Sequence, residues 1–355
     1  MNSALPSSVV RIPAFCSIRL TGADRAKFLH NFCTSQIREL PLGQFGEAFF
    51  CDVRARVLAH GWILAADHFH EIRMLPGDEE FLYRHLSRYV ISEDVTVERF
   101  PCNSPSSAPS HSALALIGPK SRERLAASIE EERTTNGSDT SVPSDGQWRQ
   151  IRFRASKTGE AAVTAIGLSM QMAGVPIELL VPLFPVHAAS PDHDIEATAS
   201  AWQSLPDELA AAGWKLAPPA EFERLRILER LPKIGVDLTS DHMAPEADRN
   251  AQAINYKKGC YLGQEPIARL DAMGHINRAL RALRTHAPTE LLIGASVHHQ
   301  GTSIGTITSA CPDSETSPDS ASLGLAMIRV HGLDLTSGIT LTIADGSTFP
   351  GHVLP

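Results

Sequence analysis

Apolar positions change their spacing along this chain, and the changes predict where secondary structure begins and ends. An apolar run over residues 15–20 predicts a strand, and the helix-spaced apolar residues after it predict a helix. Alternation through residues 43–75 is typical of a β-meander. A helical apolar face between Phe81 and Val90 and a strand over 95–100 complete a first α+β subdomain.

A second unit follows a stretch over 101–112 that is rich in Pro and Ser and therefore predicts a linker. It begins with a strand over 111–118 and a helix from 121 to about 131, and three more strands follow. A helix over 196–212 ends the unit, and the polar residues 134–146 predict a surface insertion. This order suggests a split β-α-β arrangement with helices on one face of an antiparallel sheet.

The C-terminal third combines a helix with an all-β region. The helix predicted over 220–230 places Phe222, Leu225 and Ile227 inward. From about Leu283 onward, short apolar runs are separated by clusters of Gly, Pro, Ser and Asp. Short strands with such turn signals predict a small barrel or sandwich.

Composition and charge narrow the class of protein. The chain has 355 residues, enough for two or three domains, and its net charge of −8 argues against broad binding to nucleic acid or anionic membranes. We therefore expect no nucleic-acid partner and no membrane partner. Six widely spaced cysteines without a CxxC pair indicate a reducing compartment and no structural metal site. A cytoplasmic location is expected, because no signal peptide or membrane span is apparent.

The run from Lys257 to Glu265 carries the most unusual chemistry: two cations, a thiol, two glycines and an amide–carboxylate pair in nine residues. Its glycines predict positive φ or a close backbone approach, and Pro266 predicts the first residue of a helix. Cys260 would then lie on the loop that enters this helix, where positive charge and the helix N-terminus favour a thiolate. The alternative is a small buried residue that locks the loop, since free cysteines are often buried.

The same run resembles the Lys-Gly-Cys-Tyr/Phe-x-Gly-Gln-Glu signature of the folate-binding YgfZ family, which is related to the glycine-cleavage aminomethyltransferase (T-protein). The matching positions are Lys258, Gly259, Cys260, Tyr261, Gly263, Gln264 and Glu265. Further similar stretches cover residues 20–32, 114–125, 223–238 and 324–329. The resemblance implies an α+β fold of the T-protein type, in which two interleaved α+β subdomains precede a C-terminal β-barrel.

That layout predicts three regions in this chain. Residues 1–100 and 216–282 would form the first α+β subdomain, which binds folate and carries the signature. Residues 111–215 would form the second, ferredoxin-like subdomain, and residues 283–355 the C-terminal β-barrel.

The resemblance implies tetrahydrofolate, or a one-carbon derivative, as the cofactor. A carboxylate can accept the adjacent amino and ring N–H groups of a pterin, which makes Glu178 on its otherwise apolar strand the candidate. Arg226, in a stretch similar to the family's Leu-Arg-x-x-Glu helix, is the candidate for helping to hold folate. The alternatives are a solvent-facing Glu178 and an ion pair of Arg226 with Glu223 or Glu229.

The function implied is that of a tetrahydrofolate-binding accessory protein for iron–sulfur cluster assembly or repair, with assembly or client proteins as partners. Cys260 is its candidate functional thiol. A T-protein-like aminomethyltransferase is the alternative, but residues 71–80 lack the Asn residues of that enzyme's catalytic aspartate segment. We therefore expect no established reaction. A pure interaction scaffold and a folate-dependent demethylase are the other classes considered.

Overall fold

The computed structural model describes residues 7–12, 15–77, 79–100, 112–127, 143–154, 162–182, 195–274, 276–313 and 321–355. At 152–154, 162–164, 195–199 and 337, only the backbone is described. Nearly all of the predicted linker and most of the predicted insertion over 134–146 lie outside these ranges.

The chain forms two compact units, each assembled from separated segments. The first comprises Met1–Cys16, Pro41–Phe45 and Pro101–Phe222, and the second comprises Ser17–Leu40, Gly46–Phe100 and Glu223–Pro355. The strands are β1 (Ser8–Ile12), β2 (Cys16–Thr21), β3 (Phe45–Cys51), β4 (Val57–Ala65), β5 (His70–Met74), β6 (Thr96–Phe100), β7 (Ala113–Ile117), β8 (Trp148–Arg154), β9 (Ala162–Met172), β10 (Val175–Pro182), β11 (Lys215–Ala217), β12 (Arg278–Thr285), β13 (Ser296–His299), β14 (Thr302–Pro312), β15 (Ser322–Arg329), β16 (Ile339–Thr342) and β17 (Thr348–Val353). The α-helices are α1 (Arg25–Phe32), α2 (Glu79–Ser87), α3 (Ser121–Ala126), α4 (Ile195–Ala211), α5 (Pro219–Leu228), α6 (Asn250–Ala253) and α7 (Gln264–Met273).

The first unit is built on a six-stranded sheet in the order β11-β1-β7-β10-β9-β8. Its β9–β10 hairpin turns through Ala173 and Gly174, whose positive φ values of 51° and 73° suit a tight hairpin turn. Leu114 and Leu180 of the sheet share a buried core with Trp202 of α4, so α4 covers one face of the sheet. The predicted strands and the long helix of this unit are confirmed.

The second unit contains a five-stranded sheet in the order β3-β4-β5-β2-β6 and a closed six-stranded barrel, β12-β15-β14-β13-β16-β17. The predicted meander corresponds to β3, β4 and β5, and the predicted C-terminal barrel is confirmed. The barrel begins at Arg278, a few residues before the predicted start at Leu283.

Strand β1 differs from the sequence interpretation in its partners. Ser8 pairs with Ile117 in an antiparallel ladder and with Lys215 in a parallel one. Residues 8–12 therefore complete the sheet of the first unit, whereas the predicted boundaries grouped residues 1–100 with the signature.

Several helices end earlier than the apolar spacing predicted. Helix α1 ends at Phe32, so Ile37 packs from the loop after it, and α2 ends at Ser87. The helix predicted from Ser121 to about Glu131 is assigned only to Ala126, and residues 128–131 lie outside the described ranges. No helix among the described residues is long and apolar enough to cross a membrane.

Candidate functional site

The signature loop is fixed to the C-terminal end of α1 by the side chain of Lys258. Its ammonium group donates hydrogen bonds to the carbonyl oxygens of His30 at 2.6 Å, Cys33 at 2.8 Å and Ser35 at 2.7 Å. Carbonyls at a helix C-terminus lack intrahelical donors and carry partial negative charge, so a cation there is favourable. Lys258 is 5% exposed, and burial lowers the pKa of its ammonium group. This charge is therefore engaged with the end of α1, where the sequence analysis had placed it beside the thiol.

The loop is held again after Cys260. The N–H of Leu262 donates to the carbonyl oxygen of Asn31 at 2.9 Å, and Tyr261 is buried, with the Lys258 ammonium 4.9 Å from its ring centroid. The amide of Gln264 donates to the Lys258 carbonyl at 3.4 Å, while Glu265 is exposed in the first turn of α7. The signature thus places most of its side chains in structural contacts around one thiol.

The backbone at position 263, just before α7, requires a glycine. Its φ is 84°, and a Cβ added there would lie 2.6 Å from the carbonyl oxygen of Asp52. Helix α7 therefore begins at Gln264, two residues earlier than the helix start predicted at Pro266. Gly259 does not have positive φ, so that part of the prediction is confirmed for Gly263 only.

The β3–β4 turn packed under Gly263 has its own strained position. The carboxylate of Asp52 accepts hydrogen bonds from the N–H groups of Arg54 and Arg56 at 2.8 and 2.9 Å. Ala55 is fully buried with a φ of 61°, a left-handed conformation that non-glycine residues rarely adopt. Ala55 thus adopts a backbone conformation that a glycine favours.

Cys260 is the exposed member of the four free thiols in the described chain. Cys33, Cys51 and Cys311 are buried, and burial raises the pKa of each of their thiols. Cys16 is disulfide-bonded, which the expectation of small reduced cysteines did not anticipate. The alternative in which Cys260 is a buried packing residue is wrong.

Glu178 lies on β10 in the first unit and is completely buried. One carboxylate oxygen, Oε1, accepts a hydrogen bond from the Ser169 hydroxyl at 3.0 Å and lies 3.4 Å from Nε of Arg122. The other oxygen, Oε2, is buried without a hydrogen-bond partner among the described atoms. Burial raises the pKa of Glu178 to about 7, although Ser169 and Arg122 oppose the shift. The alternative of a solvent-facing carboxylate is wrong.

Arg226 is also fully buried, but its donors are used within the second unit. Nε and NH2 donate to the Glu223 carboxylate at 2.9 and 2.7 Å, and NH1 donates to Asp237 at 2.7 Å and to the Leu231 carbonyl at 2.6 Å. The neighbouring carboxylates raise the pKa of this guanidinium despite its burial. These contacts favour the ion-pair alternative with Glu223, extended by a second carboxylate that the sequence analysis did not identify.

Asp237 connects this helix to the barrel. Its Oδ1 accepts hydrogen bonds from the hydroxyls of Thr308 at 2.6 Å and Ser309 at 2.7 Å, while Oδ2 accepts from Arg226. The register of β14 against β15 shifts between Ile307 and Ser309, and this bulge lets two successive side chains reach one carboxylate. Arg226 is therefore part of a buried polar link between α5 and the barrel.

The sequence and fold of this chain were compared with those of known proteins. No protein-family model matches the chain. It is 25% identical over 339 residues to a putative chloroplastic transferase of Arabidopsis thaliana, covering 94% of this chain and 68% of the relative. It is 22% identical over 312 residues to the tRNA-modifying protein YgfZ of Serratia proteamaculans, covering 85% and 80% of the two chains. The YgfZ of Colwellia psychrerythraea is 21% identical over 280 residues, covering 78% and 71%.

A solved structure decides the fold. The glycine-cleavage aminomethyltransferase T of Bartonella henselae aligns with a TM-score of 0.71 at 15% identity, over 99% of this chain and 86% of that one. The chain is similar to YgfZ proteins and has the fold of the T-protein. The predicted family and the predicted fold class are confirmed.

Residues 71–80 of this YgfZ-like chain were compared above with the aspartate segment of the T-protein. The first of them, Glu71, has a structural role. Glu71 is fully buried and accepts two hydrogen bonds from Arg19, at 2.8 and 2.6 Å, and it also pairs with Arg73. Asp78 of the same stretch lies outside the described residues. Glu71 is thus held in a charge-compensated cluster, as a buried carboxylate requires.

Three neighbours of the candidate residues in the YgfZ-like chain were not identified from the sequence. Ser169 of β9 and Arg122 of α3 flank Glu178. Ser169 precedes Glu178 by 9 positions and Arg122 lies on a different element, and neither separation carried a signal. His30 lies beside the signature loop: its Nε2 is 3.8 Å from the position a Cβ would take on Gly259. Its membership in the family-like stretch over 20–32 was the one available hint.

An open cleft adjoins the signature loop within the second unit. It measures about 310 Å³ and is lined by Ser35, Gln36, Ala251, Gln252, Ile254, Asn255, Tyr256 and Lys257. Across the described parts of the chain, no group of three or more His, Cys, Asp or Glu side chains is arranged to hold a metal ion. The YgfZ-like chain therefore carries its exposed thiol without a complete ligand cage around it.

Proposed function

We propose that this protein binds tetrahydrofolate, or a one-carbon derivative, and acts as an accessory protein in iron–sulfur cluster assembly or repair. The observation that carries the proposal is the buried carboxylate of Glu178 with its unpaired Oε2. A buried acceptor without a donor costs about 1–3 kcal/mol, so a ligand that supplies the donor recovers that free energy on binding.

A reduced pterin has the right chemistry for this acceptor. Its amino group and neighbouring ring N–H are donors, and Leu180, two residues along β10 and on the same face of the sheet as Glu178, is buried. Burial raises the pKa of Glu178 to about 7. A ligand that donates two hydrogen bonds to the carboxylate would lower this pKa and so favour the ionised form over the protonated acid. Arg226 contributes less to the proposal, because its guanidinium is already occupied by Glu223 and Asp237.

The iron–sulfur part of the proposal depends on Cys260. It is an exposed free thiol on a loop whose flanking residues, Lys258 and Leu262, are both tied to the end of α1. A thiolate held at a fixed surface position can ligate iron transiently or exchange with a partner's sulfur. The acceptors would be assembly or client proteins, and we propose a cytoplasmic location for this encounter.

Calorimetry of the purified protein with tetrahydrofolate tests the ligand. Glu178→Gln removes the charge of the acceptor with little change of shape and should weaken binding about tenfold or more. Glu123→Gln, an exposed carboxylate on α3, is the matched control and should bind like wild type. Equal affinity in the two variants would remove Glu178 from the site, and no binding by wild type would remove folate from the function.

The role in iron–sulfur metabolism needs a separate experiment in cells. Deletion of the gene should lower the activity of iron–sulfur enzymes relative to enzymes without clusters, and wild type should restore it. Cys260→Ser should not restore it, whereas Cys311→Ser, at a buried thiol, should. Full rescue by Cys260→Ser would eliminate the thiol from the proposal.

Aminomethyl transfer is the second candidate, because the solved neighbour is an aminomethyltransferase T. Purified protein would be given tetrahydrofolate with an aminomethyl donor, and turnover would be scored separately from binding. Formation of 5,10-methylene-tetrahydrofolate would favour this candidate. Two relatives are named tRNA-modifying proteins, so tRNA is the first nucleic acid to test against the expectation of no nucleic-acid partner.

A further inference from the structure

Arg122 of α3 contacts Glu178 and keeps one donor group unused. Its NH2 group donates to the hydroxyl of Ser169, and that hydroxyl donates to Oε1 of Glu178 at 3.0 Å. Nε of Arg122 lies 3.4 Å from the same carboxylate oxygen. NH1, a further N–H donor group of the guanidinium, has no hydrogen bond with any described residue. A guanidinium with an unused donor therefore stands beside a carboxylate whose Oε2 is an unused acceptor.

The backbone of the first unit fixes these side chains together. Ser169 lies directly opposite Glu178 in the β9–β10 ladder, so both side chains point to the same face of the sheet. The turn before α3 is bonded to the start of β10, because the N–H of Gly118 donates to the carbonyl oxygen of Pro176 at 3.1 Å. Arg122 thus reaches Glu178 from an element that is joined to the same strand.

Arg122 connects the buried carboxylate with solvent. Its side chain is 44% exposed, whereas that of Glu178 is 1% exposed. The distance of 3.4 Å between Nε and Oε1 exceeds the roughly 2.7–2.9 Å of a strong charge-assisted hydrogen bond, so the guanidinium can adjust when a ligand arrives. Ser121, next to Arg122, is fully buried, and its hydroxyl also lacks a partner among the described atoms. Two buried polar groups without partners, on elements that pack together, indicate a ligand with polar groups of its own.

The order of donors and acceptors along the protein defines the class of ligand. A carboxylate alone accepts from any two adjacent donors, including those of cationic amidines. Arg122 repels such cations and requires an acceptor beside the two donors. A pyrimidine ring with a 2-amino and a 4-oxo group meets this demand. Its amino group and ring N–H are adjacent donors, and an oxo oxygen and a ring nitrogen flank them as acceptors.

We propose that Glu178 and Arg122 together recognise the edge of a 2-amino-4-oxopyrimidine ring. The carboxylate accepts from the amino group and the ring N–H, and NH1 of Arg122 donates to the acceptor beside them. The inference rests on the proposed folate binding and names Arg122 as the residue that makes the site specific. Reduced pterins and guanine share this edge, so the experiment includes both sources.

Calorimetry with small heterocycles tests the recognition of the edge. Lumazine, the 2,4-dioxo counterpart of pterin, carries an oxygen where pterin has the amino group, and this oxygen would face Glu178. Wild type should therefore bind pterin at least about tenfold more tightly than lumazine. Glu178→Gln presents one donor and one acceptor, which suits lumazine better. The affinity ratio of pterin to lumazine should fall at least about tenfold in this variant.

Arg122→Met tests the second residue. It removes the charged donor and should weaken pterin binding at least about tenfold. Lys120→Met removes the same charge from an exposed side chain two residues earlier and should bind pterin like wild type. Should Arg122→Met fail to fold, wild type is titrated with pterin in an NMR experiment. The Nε–H resonance of Arg122, assigned by its absence in Arg122→Lys, must then shift.

Equal affinities of wild type for pterin and lumazine would overturn the proposal. An unchanged pterin affinity in Arg122→Met, or an Nε–H resonance that does not shift, would overturn it as well. Tetrahydrofolate and GMP separate the two sources. Binding of GMP without binding of tetrahydrofolate contradicts the proposed function and supports recognition of the edge. Tetrahydrofolate binding that is insensitive to Arg122→Met contradicts this inference alone.

Discussion

The ammonium group of Lys258 donates a hydrogen bond to the carbonyl oxygen of His30 over 2.6 Å, across 228 positions of sequence. The same nitrogen reaches the carbonyls of Cys33 and Ser35, so one side chain binds the last turn of α1 and the loop that follows it. The lysine of the signature is thus a helix cap. This role accounts for its burial, and Cys260 is left as an exposed free thiol on the loop.

Lys258→Met should destabilise the protein by about 2–4 kcal/mol, because three carbonyl groups lose a charged donor in a buried place. Lys257→Met is the matched control: its side chain is exposed, and the expected change is below about 0.5 kcal/mol. Urea unfolding of both variants gives the comparison. Equal stabilities would contradict the capping role.

Gly263→Ala should be more damaging than a positive φ alone explains. The added methyl group would lie 2.6 Å from the Asp52 carbonyl oxygen, so the β3–β4 turn or the start of α7 must move. Gly274→Ala is the control, since its φ is 70° and no atom lies within 4 Å of the added Cβ. The control should lose about 1 kcal/mol. Gly263→Ala should lose at least about 2 kcal/mol more in thermal or urea unfolding.

Arg226→Met should cost about 3–5 kcal/mol of stability, because it leaves the fully buried Asp237 carboxylate without its cation. Arg269→Met, at an exposed position of α7, should change stability by less than about 0.5 kcal/mol. A combined Arg226→Met and Asp237→Asn variant should recover part of the loss, since neither partner is then charged. A stable Arg226→Met protein that binds folate weakly would instead assign Arg226 to the ligand.

Glu178 should make the ligand-free protein less stable as pH rises. Its pKa is raised from 4.5 to about 7 in the folded state by burial, so the folded protein binds the proton more tightly than the unfolded chain. Stability from this group is therefore full below about pH 4.5 and is lost as pH rises through 7, by roughly 3 kcal/mol. Glu178→Gln should remove this dependence and be the more stable protein at pH 8. If wild type and Glu178→Gln show the same pH dependence of the free energy of unfolding, ionisation of Glu178 in the folded protein costs no stability.

Thiol labelling should separate Cys260 from the buried free cysteines. An aromatic disulfide reagent should lose one rapidly reacting thiol when Cys260→Ser is compared with wild type, because Cys260 is exposed. Cys311→Ser should leave the fast phase unchanged, since burial raises the pKa of Cys311 to about 12. Retention of the full fast phase in Cys260→Ser would place the reactive thiol elsewhere.

Local patterns predicted most of the fold. The alternation through residues 43–75 corresponds to β3, β4 and β5. It could be recognised in the sequence because the alternation of side chains along a strand involves only neighbouring residues. The partners of β1 could not be predicted in this way: Ser8 pairs with Ile117 and Lys215, and no local pattern encodes a choice across such distances. Gly263 was correctly marked as a special backbone position, although its contact with Asp52 was not foreseen.

The candidate site was predicted by residue identity and less well by side-chain direction. The unusual composition of the signature identified Cys260, and its exposure agrees with a functional thiol. Lys258 and Arg226 were assigned to chemistry, yet both side chains are buried in internal contacts. A sequence shows which charges are present, whereas the direction of a long side chain depends on carbonyls and carboxylates brought by distant segments, as with Asp237 and Arg226.

The segments of the second unit are separated in sequence by the first unit, and this order affects folding during synthesis. Its sheet is encoded before residue 100, but the lysine that caps α1 is synthesised only after the whole first unit has emerged. Until then, the end of α1 keeps unsatisfied carbonyls, and the nascent sheet lacks its partners from the C-terminal segment. Closure over so long a separation is slow, so a ribosome-bound chain halted before Lys258 should be the species that needs chaperone protection.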